Sequence, residues 1–187
     1  PELGLAAGRW LRAFHDLTRH PVGFRPAGQV NWLARLIEAS TEGSRVIPDA
    51  DGFRAAARDV QAMADPVRKL QAARAVTHRD MTLSNLLLDA DGTIWGIDFE
   101  NDREDEPLRD VFTLALDFLS EGSRGEQALA ELRRGYGDTD TDPQVRLFLQ
   151  RCFCLWVWAN TPLEPSSRQL ARLDVAERLL HQPGAVI

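Results

Sequence analysis

Apolar residues at Leu5, Trp10, Leu11, Phe14 and Leu17 recur at mixed three- and four-residue spacings, which predicts an amphipathic helix early in the chain. His20-Pro21 ends it, because a residue before proline is pushed out of the α region. Trp32, Leu33, Leu36 and Ile37 predict a second helix over 30–39, and the turn-rich stretch 41–51 reads as a loop. Helical spacing resumes at Phe53 and restarts at Asp65-Pro66, read as an N-cap followed by proline at the first helical position. The period then changes. Residues 75–77 are short and β-prone, 86–88 are apolar, and 93–97 alternate about Trp95. Asp91-Gly92, between the last two, is a hairpin signal. From 108 onward the spacing is helical again, with breaks at Glu121-Gly122, at 136–143 and at 161–166. The pattern predicts a mainly α fold with a small β-hairpin in its middle.

Composition narrows the class. The 187 residues suit one domain, or one large piece of something bigger. A chain of that length buries roughly 70% of its unfolded surface, so it needs no disulfide or metal staple to fold. With 44% hydrophobic and 27% charged residues it has the make-up of an ordinary globular protein, not of a disordered tail. The balance of 22 Lys+Arg against 28 Asp+Glu, a net charge of −6, argues against a nucleic-acid partner bound through phosphate neutralisation. Cys152 and Cys154 match no zinc or thioredoxin spacing and read as small buried hydrophobes. The longest apolar run, 152–159, falls far short of the roughly 18 residues of a membrane span. No secretory pattern opens the chain, so no membrane partner and a reducing cytoplasm are expected.

The candidate chemistry gathers around the hairpin. His78-Arg79-Asp80 followed by Asn85 is the H-R-D-x-x-x-x-N pattern of a kinase catalytic loop. Asp98 follows the second hairpin strand. A hydroxyl that accepts a phosphoryl group must lose its proton, and the Asp80 carboxylate is suited to take it. A triphosphate needs a hard cation, and magnesium favours one or two carboxylate or amide oxygens plus phosphate oxygens. Asn85 begins the hairpin and Asp98 ends it, so a tight turn sets an amide oxygen beside a carboxylate.

Residues 76–111, with this loop, the hairpin and Ile97-Asp98-Phe99-Glu100, resemble the aminoglycoside phosphotransferase and choline kinase family, relatives of the protein kinases. Residues 5–16 resemble the first long helix of that family's C-terminal lobe. The resemblance implies that 1–187 is the C-terminal lobe of a protein-kinase-like (α+β) phosphotransferase, with 76–111 as its catalytic-loop, hairpin and metal-binding segment. It implies Asp80 as catalytic base, Asn85 and Asp98 as Mg2+ ligands contacting the ATP phosphates, His78 as a brace, and Asp110 as the aspartate that pins the loop backbone. Arg79 departs from the small residue, often glycine, that small-molecule members carry there. It would pair with a nearby acid or, as the second reading, assist the transferring phosphoryl group. A Gly-rich loop and a strand lysine are missing. Lys69 is the sole lysine and lies in a helical stretch. An N-terminal lobe of about 100 residues, packing on this one, is therefore expected upstream of Pro1.

Other features take plainer readings. His15, on an apolar helix face, reads as a packed, hydrogen-bonded structural histidine; His20 and His181 lie near prolines at helix ends and suggest no ligand role. The acidic run Glu100, Asp102, Glu104, Asp105 and Glu106 reads as a solvated face, or alternatively as a patch, with Glu100 and Asp102 foremost, that attracts a cationic substrate. Trp156 and Trp158 read as core, since two residues apart on a helix they cannot face one point. The expected function is ATP-dependent phosphorylation of a small-molecule hydroxyl, on an aminoglycoside, choline or a similar amino alcohol or sugar. The acceptor pocket is expected within 147–180. The alternatives are a protein- or lipid-kinase-like enzyme and a non-catalytic, pseudokinase-like lobe.

Overall fold

The computed structural model describes residues 3–187, which divide into two compact units. One comprises 3–22, 72–141 and 187; the other comprises 23–71 and 142–186.

The first unit carries the hairpin. Helix α1 (Leu3–Asp16) buries Gly4, Ala7, Gly8, Leu11 and His15, a stripe at three- and four-residue spacing. That stripe packs on α6 (Gly125–Tyr136), which buries Leu129, Leu132 and Tyr136. The helices cross so closely that a Cβ at Gly8 would collide with the Leu132 carbonyl. Helix α5 (Leu108–Ser120) is buried along nearly its whole length, from Leu108 through Leu119. A helix apolar all round belongs in a core, which makes its two buried aspartates, Asp110 and Asp117, conspicuous.

Two small antiparallel sheets complete this unit. Strands β3 (Leu86–Leu88) and β4 (Ile94–Gly96) form the expected hairpin, in register Leu86↔Gly96, Leu87↔Trp95 and Leu88↔Ile94. The Asp89 carboxylate organises its turn, accepting from the N–H groups of Asp91 (3.0 Å) and Thr93 (2.8 Å) and from the Trp95 indole (3.0 Å). The indole above all, and then the Thr93 N–H, hold the Asp89 carboxyl below its ordinary range. Gly92 takes φ 82°, open to glycine without strain. Gly96 admits the Trp10 ring against the hairpin, where any side chain would clash.

The second sheet departs from the sequence reading, which placed one short β-prone stretch there. Its order is β1 (His20–Gly23), β2 (Gln71–Thr77), β5 (Arg103–Asp105). β5 pairs with β2 as Ala75↔Asp105, Val76↔Glu104 and Thr77↔Arg103. Pro21 is tolerated because β1 is an edge strand. Three local expectations also change. Leu17 lies beyond the end of α1 and is 80% exposed. The short α4 (Ala64–Val67) begins after Met63 without a side-chain cap, so Asp65 is a first-turn residue and not an N-cap. The acidic run is interrupted by a strand.

The second unit is helical: α2 (Ala27–Thr41), α3 (Ala50–Ala62), α4, α7 (Pro143–Ala159) and α8 (Ser167–Leu180). Asp142 caps α7 by accepting from Gln144 N–H at 2.8 Å, with Pro143 at the first position. Ser166 and Gln169 form a capping box on α8. Trp158 is buried, donating its indole N–H to Pro48 O at 2.7 Å, whereas Trp156 sits at the surface stacked on Phe153. Cys152 and Cys154 are buried and form no disulfide. Among the described residues, no helix is long and apolar enough to cross a membrane.

Candidate active site

β2 delivers the chain to the loop. Thr77 and His78 are fully buried, and Arg79 turns the backbone sharply at φ 68°. The turn is held from beneath by α5: Asp110 accepts from His78 N–H at 2.7 Å and from Arg79 N–H at 2.8 Å. Its carboxylate also accepts from His15 Nε2 at 3.1 Å, while His15 Nδ1 lies 2.9 Å from the Tyr136 hydroxyl. With Nε2–H directed at the Asp110 carboxylate, His15 leaves Nδ1 to accept from the Tyr136 O–H. Burial pushes the Tyr136 phenol up to about 12.

Beyond Arg79 the loop alternates between core and solvent. Asp80 is exposed, while Met81 is fully buried and anchors the loop. Thr82 N–H closes on Asp80 O at 2.8 Å, and Leu83–Asn85 form one 3₁₀ turn. Leu83 N–H, at the start of that turn, donates to Asp117 of α5 at 3.0 Å. Asn85, at its end, donates through Nδ2 to the Asp80 carbonyl at 2.7 Å and to the Asp80 carboxylate at 3.4 Å. The amide oxygen is left as the free acceptor of that side chain.

The hairpin then returns. Ile97 N–H donates to Asn85 O at 3.0 Å, one rung beyond the strands, so Asp98 follows directly from a residue bonded to Asn85. Asp98 takes φ 67° and is exposed, its carboxylate without a protein partner among the described residues. His78 bridges loop and hairpin by donating from Nε2 to Ile97 O at 2.7 Å, and Phe99 packs on its ring at 4.7 Å between centroids. Phe99 in turn meets Phe14 and Trp10 of α1. Asp80, Asn85 and Asp98 thus present two exposed carboxylates and one amide oxygen from a single bonded framework. Among the described residues no group of three or more His, Cys, Asp or Glu is disposed to hold a metal. One amide and one carboxylate are the donor set of a magnesium ion that keeps water and phosphate as its other ligands.

The acidic run divides by role. Glu100 and Asp102 are exposed. Glu104, Asp105 and Glu106 face arginines: Arg74 lies 3.8 Å from Glu104, 3.8 Å from Asp105 and 2.9 Å from Glu106, and Arg79 Nε donates to Asp105 at 3.3 Å. Burial, then the hydrogen bond to Asp105 and its negative charge, raise the Glu106 carboxyl to about 7. Burial alone would raise Asp105, but the hydrogen bond from Glu106, backbone N–H and the charges of Arg109 and Arg74 bring it below its ordinary value. The solvated-face reading therefore holds for Glu100, Asp102 and the exposed Glu104, and fails for Asp105 and Glu106, which are largely buried against Arg74 and, for Asp105, Arg79. Sequence reasoning passed over Arg74 and Asp117. The available signal for Asp117 was its seven-residue spacing from Asp110 within an otherwise apolar helix.

Lys69 lies in an exposed turn before β2 at φ 67°, its N–H bonded to Phe24 O. It is not on a strand.

The model of the Phosphotransferase enzyme family matches residues 1–148, and the chain belongs to that family. No curated protein sequence matches it. Among solved structures, it is similar to a choline/ethanolamine kinase family protein from Mesorhizobium loti, with TM-score 0.55 and 18% identity, over 98% of this chain and 64% of that one. It is similar also to the choline kinase LicA from Streptococcus pneumoniae, with TM-score 0.53 and 18% identity, over 95% of this chain and 62% of that one. The chain spans less than two thirds of the length of either. The fold is that of a kinase-like lobe, mainly helical with small antiparallel sheets.

Proposed function

We propose that this chain is the substrate-side lobe of an ATP-dependent phosphotransferase that phosphorylates a hydroxyl of a small molecule, an aminoglycoside, choline or a similar amino alcohol or sugar. The observation that carries the reading is the bonding of Asn85 to both Asp80 and the rung before Asp98, which ties two exposed carboxylates and an amide side chain into one framework. Family membership and the fold of the choline kinase structures support it.

The exposed Asp80 carboxylate orients the acceptor hydroxyl and takes its proton as that oxygen attacks the γ-phosphorus. The bond from the γ-phosphorus to the β-phosphate bridging oxygen breaks, and the nucleoside diphosphate leaves. Asn85 Oδ1 and the Asp98 carboxylate are the groups that would hold Mg2+, whose charge neutralises the phosphates when bound. His78, fully buried, keeps loop and hairpin in register. Arg79 is occupied by Asp105, which favours a role in holding the loop over one at the phosphoryl group. Glu100 and Asp102 supply a negative field for an amino alcohol or aminoglycoside.

Leu87, Trp95 and Ile97, 51%, 58% and 39% exposed, form an apolar hairpin face next to Asp98 that suits the flat base of a nucleotide. The covering Gly-rich loop and lysine come, in this reading, from an N-terminal lobe packed on this one. Dependence on ATP agrees with a cytoplasmic location. Incubating the full-length protein with ATP, Mg2+ and a panel of amino alcohols, aminoglycosides and sugars tests the proposal. Phosphorylation of at least one acceptor is expected; no transfer to any, with ATP binding intact, overturns it.

A further inference from the structure

Helix α5 carries two buried carboxylates, Asp110 at 0% and Asp117 at 3% exposure, seven residues apart. Two helical turns return a side chain to within about 20° of the same direction, roughly 10 Å further along the axis. The two therefore lie on one face, and that face lies under the loop. Asp110 holds its beginning, at His78 and Arg79, and Asp117 holds Leu83. We propose that Asp117 is a second positioning residue, which with Asp110 forms a two-point strap fixing Asp80 and Asn85 between its ends. The inference rests on the phosphotransferase reading given above.

The geometry supplies the physical reason. Leu83 opens the 3₁₀ turn, and Thr82 before it makes no side-chain cap bond. The Leu83 N–H is thus one of the orphan donors at the start of a helical turn, and Asp117 provides the acceptor that a cap would have given. Asn85 ends the same turn and bonds back to Thr82 O at 3.0 Å. Where the turn starts decides where the Asn85 amide arrives, and that amide holds Asp80. The neighbours of Asp117 on the helix, Leu116 and Phe118, are buried and apolar. A carboxylate there is costly for stability alone, since a leucine would fill the helix without desolvating a charge. A role in holding the loop accounts for it.

The test uses the full-length protein with Asp117→Ala, Asp117→Asn, Leu83→Pro and the Leu83→Pro/Asp117→Ala double variant. Proline removes the donor without redirecting the chain, because Thr82 is extended (φ −92°, ψ 163°) and proline suits the first position of a helical turn. Turnover and hydrogen exchange of the peptide spanning 78–85 are read together. Asp117→Ala should lower kcat by about 10- to 100-fold while KM for ATP moves less than about threefold. It should also quicken exchange within 78–85 more than in the rest of α5, and Asp117→Asn, which keeps an acceptor oxygen, should recover part of both losses. In the Leu83→Pro background Asp117→Ala should do nothing further to the loop. Equal effects of Asp117→Ala in both backgrounds, an unchanged kcat, or a uniform rise in exchange along the chain would overturn the strap. If the unaltered protein transfers no phosphoryl group, the phosphotransferase reading has failed, and the exchange cycle alone still decides whether Asp117 holds the loop.

Discussion

The two units differ in what they bury. Among the described residues, every buried His, Asp or Glu (His15, His78, Asp110, Asp117 and Glu131) lies in the unit that carries the loop. In the other, the buried polar residues are neutral: Ser40, Gln150 and Thr161. Gln150 there does ordinary structural work, donating to Leu179 O at 3.1 Å and accepting from Val186 N–H at 2.7 Å, which ties the chain end to α7. Buried ionisable groups are poor stabilisers compared with apolar replacements. The confinement of the buried histidines and carboxylates to one unit marks it as the place where geometry is kept at the expense of stability, and the exposed Asp80 and Asp98 are what that geometry positions.

Breaking the contrast at its strongest point gives the largest effect. Asp110→Ala leaves His15 and the N–H groups of His78 and Arg79 without their acceptor, and should cost about 3–5 kcal/mol in urea unfolding. Gln150→Leu, which removes two neutral hydrogen bonds in the other unit, should cost only about 1–2 kcal/mol. Equal costs would dissolve the distinction between the units.

Glu106 sharpens the comparison through pH. Its carboxyl is raised to about 7 in the folded state, above the ordinary 4.5, so the folded protein binds its proton more tightly than the unfolded chain. The contribution is complete below about 4.5 and is lost as pH rises through about 7. The depressed Asp105 acts the other way, its contribution present above its ordinary value and lost only at lower pH, outside this window. Stability should therefore fall by about 2 kcal/mol between pH 5 and pH 8, and Glu106→Gln should flatten that slope in urea midpoints taken across the range. The smallest effect on stability belongs to the hairpin face. Leu87→Ala should change the unfolding free energy by less than about 0.5 kcal/mol while raising KM for ATP, because Leu87 is half exposed and, in the proposed reading, faces the base.

What could be read in advance was local. The hairpin follows from Asp91-Gly92 and its flanking apolar runs, and the helices of the second unit from apolar spacing and the breaks between them, whereas the one cap read in advance, Asp65, is not a cap. Strands β1 and β5 escaped because their stability is not their own. Arg103–Asp105 has little β-propensity and becomes a strand only by pairing with β2 while Arg74 and Arg79 compensate its acids. Leu17 misled because periodicity says nothing of where the backbone stops. At the site, the spacing H-R-D-x-x-x-x-N and the hairpin were visible in the chain, but the supports from α5 were not. Asp110 entered only through family resemblance, and Asp117 resembled any polar break in an apolar helix until its distance to Leu83 was known.

The assignment of roles at the exposed edge is tested most directly by separating nucleotide binding from transfer. In the full-length protein, Mg2+-dependent ATP binding and turnover should be measured for Asp80→Asn and Asp98→Asn side by side. Asp80→Asn should keep Mg2+-dependent ATP binding within about threefold and lose turnover by about 100-fold or more, whereas Asp98→Asn should lose the Mg2+ dependence of binding itself. Undiminished turnover in Asp80→Asn, or Mg2+-dependent binding that survives in Asp98→Asn, would contradict the assignment.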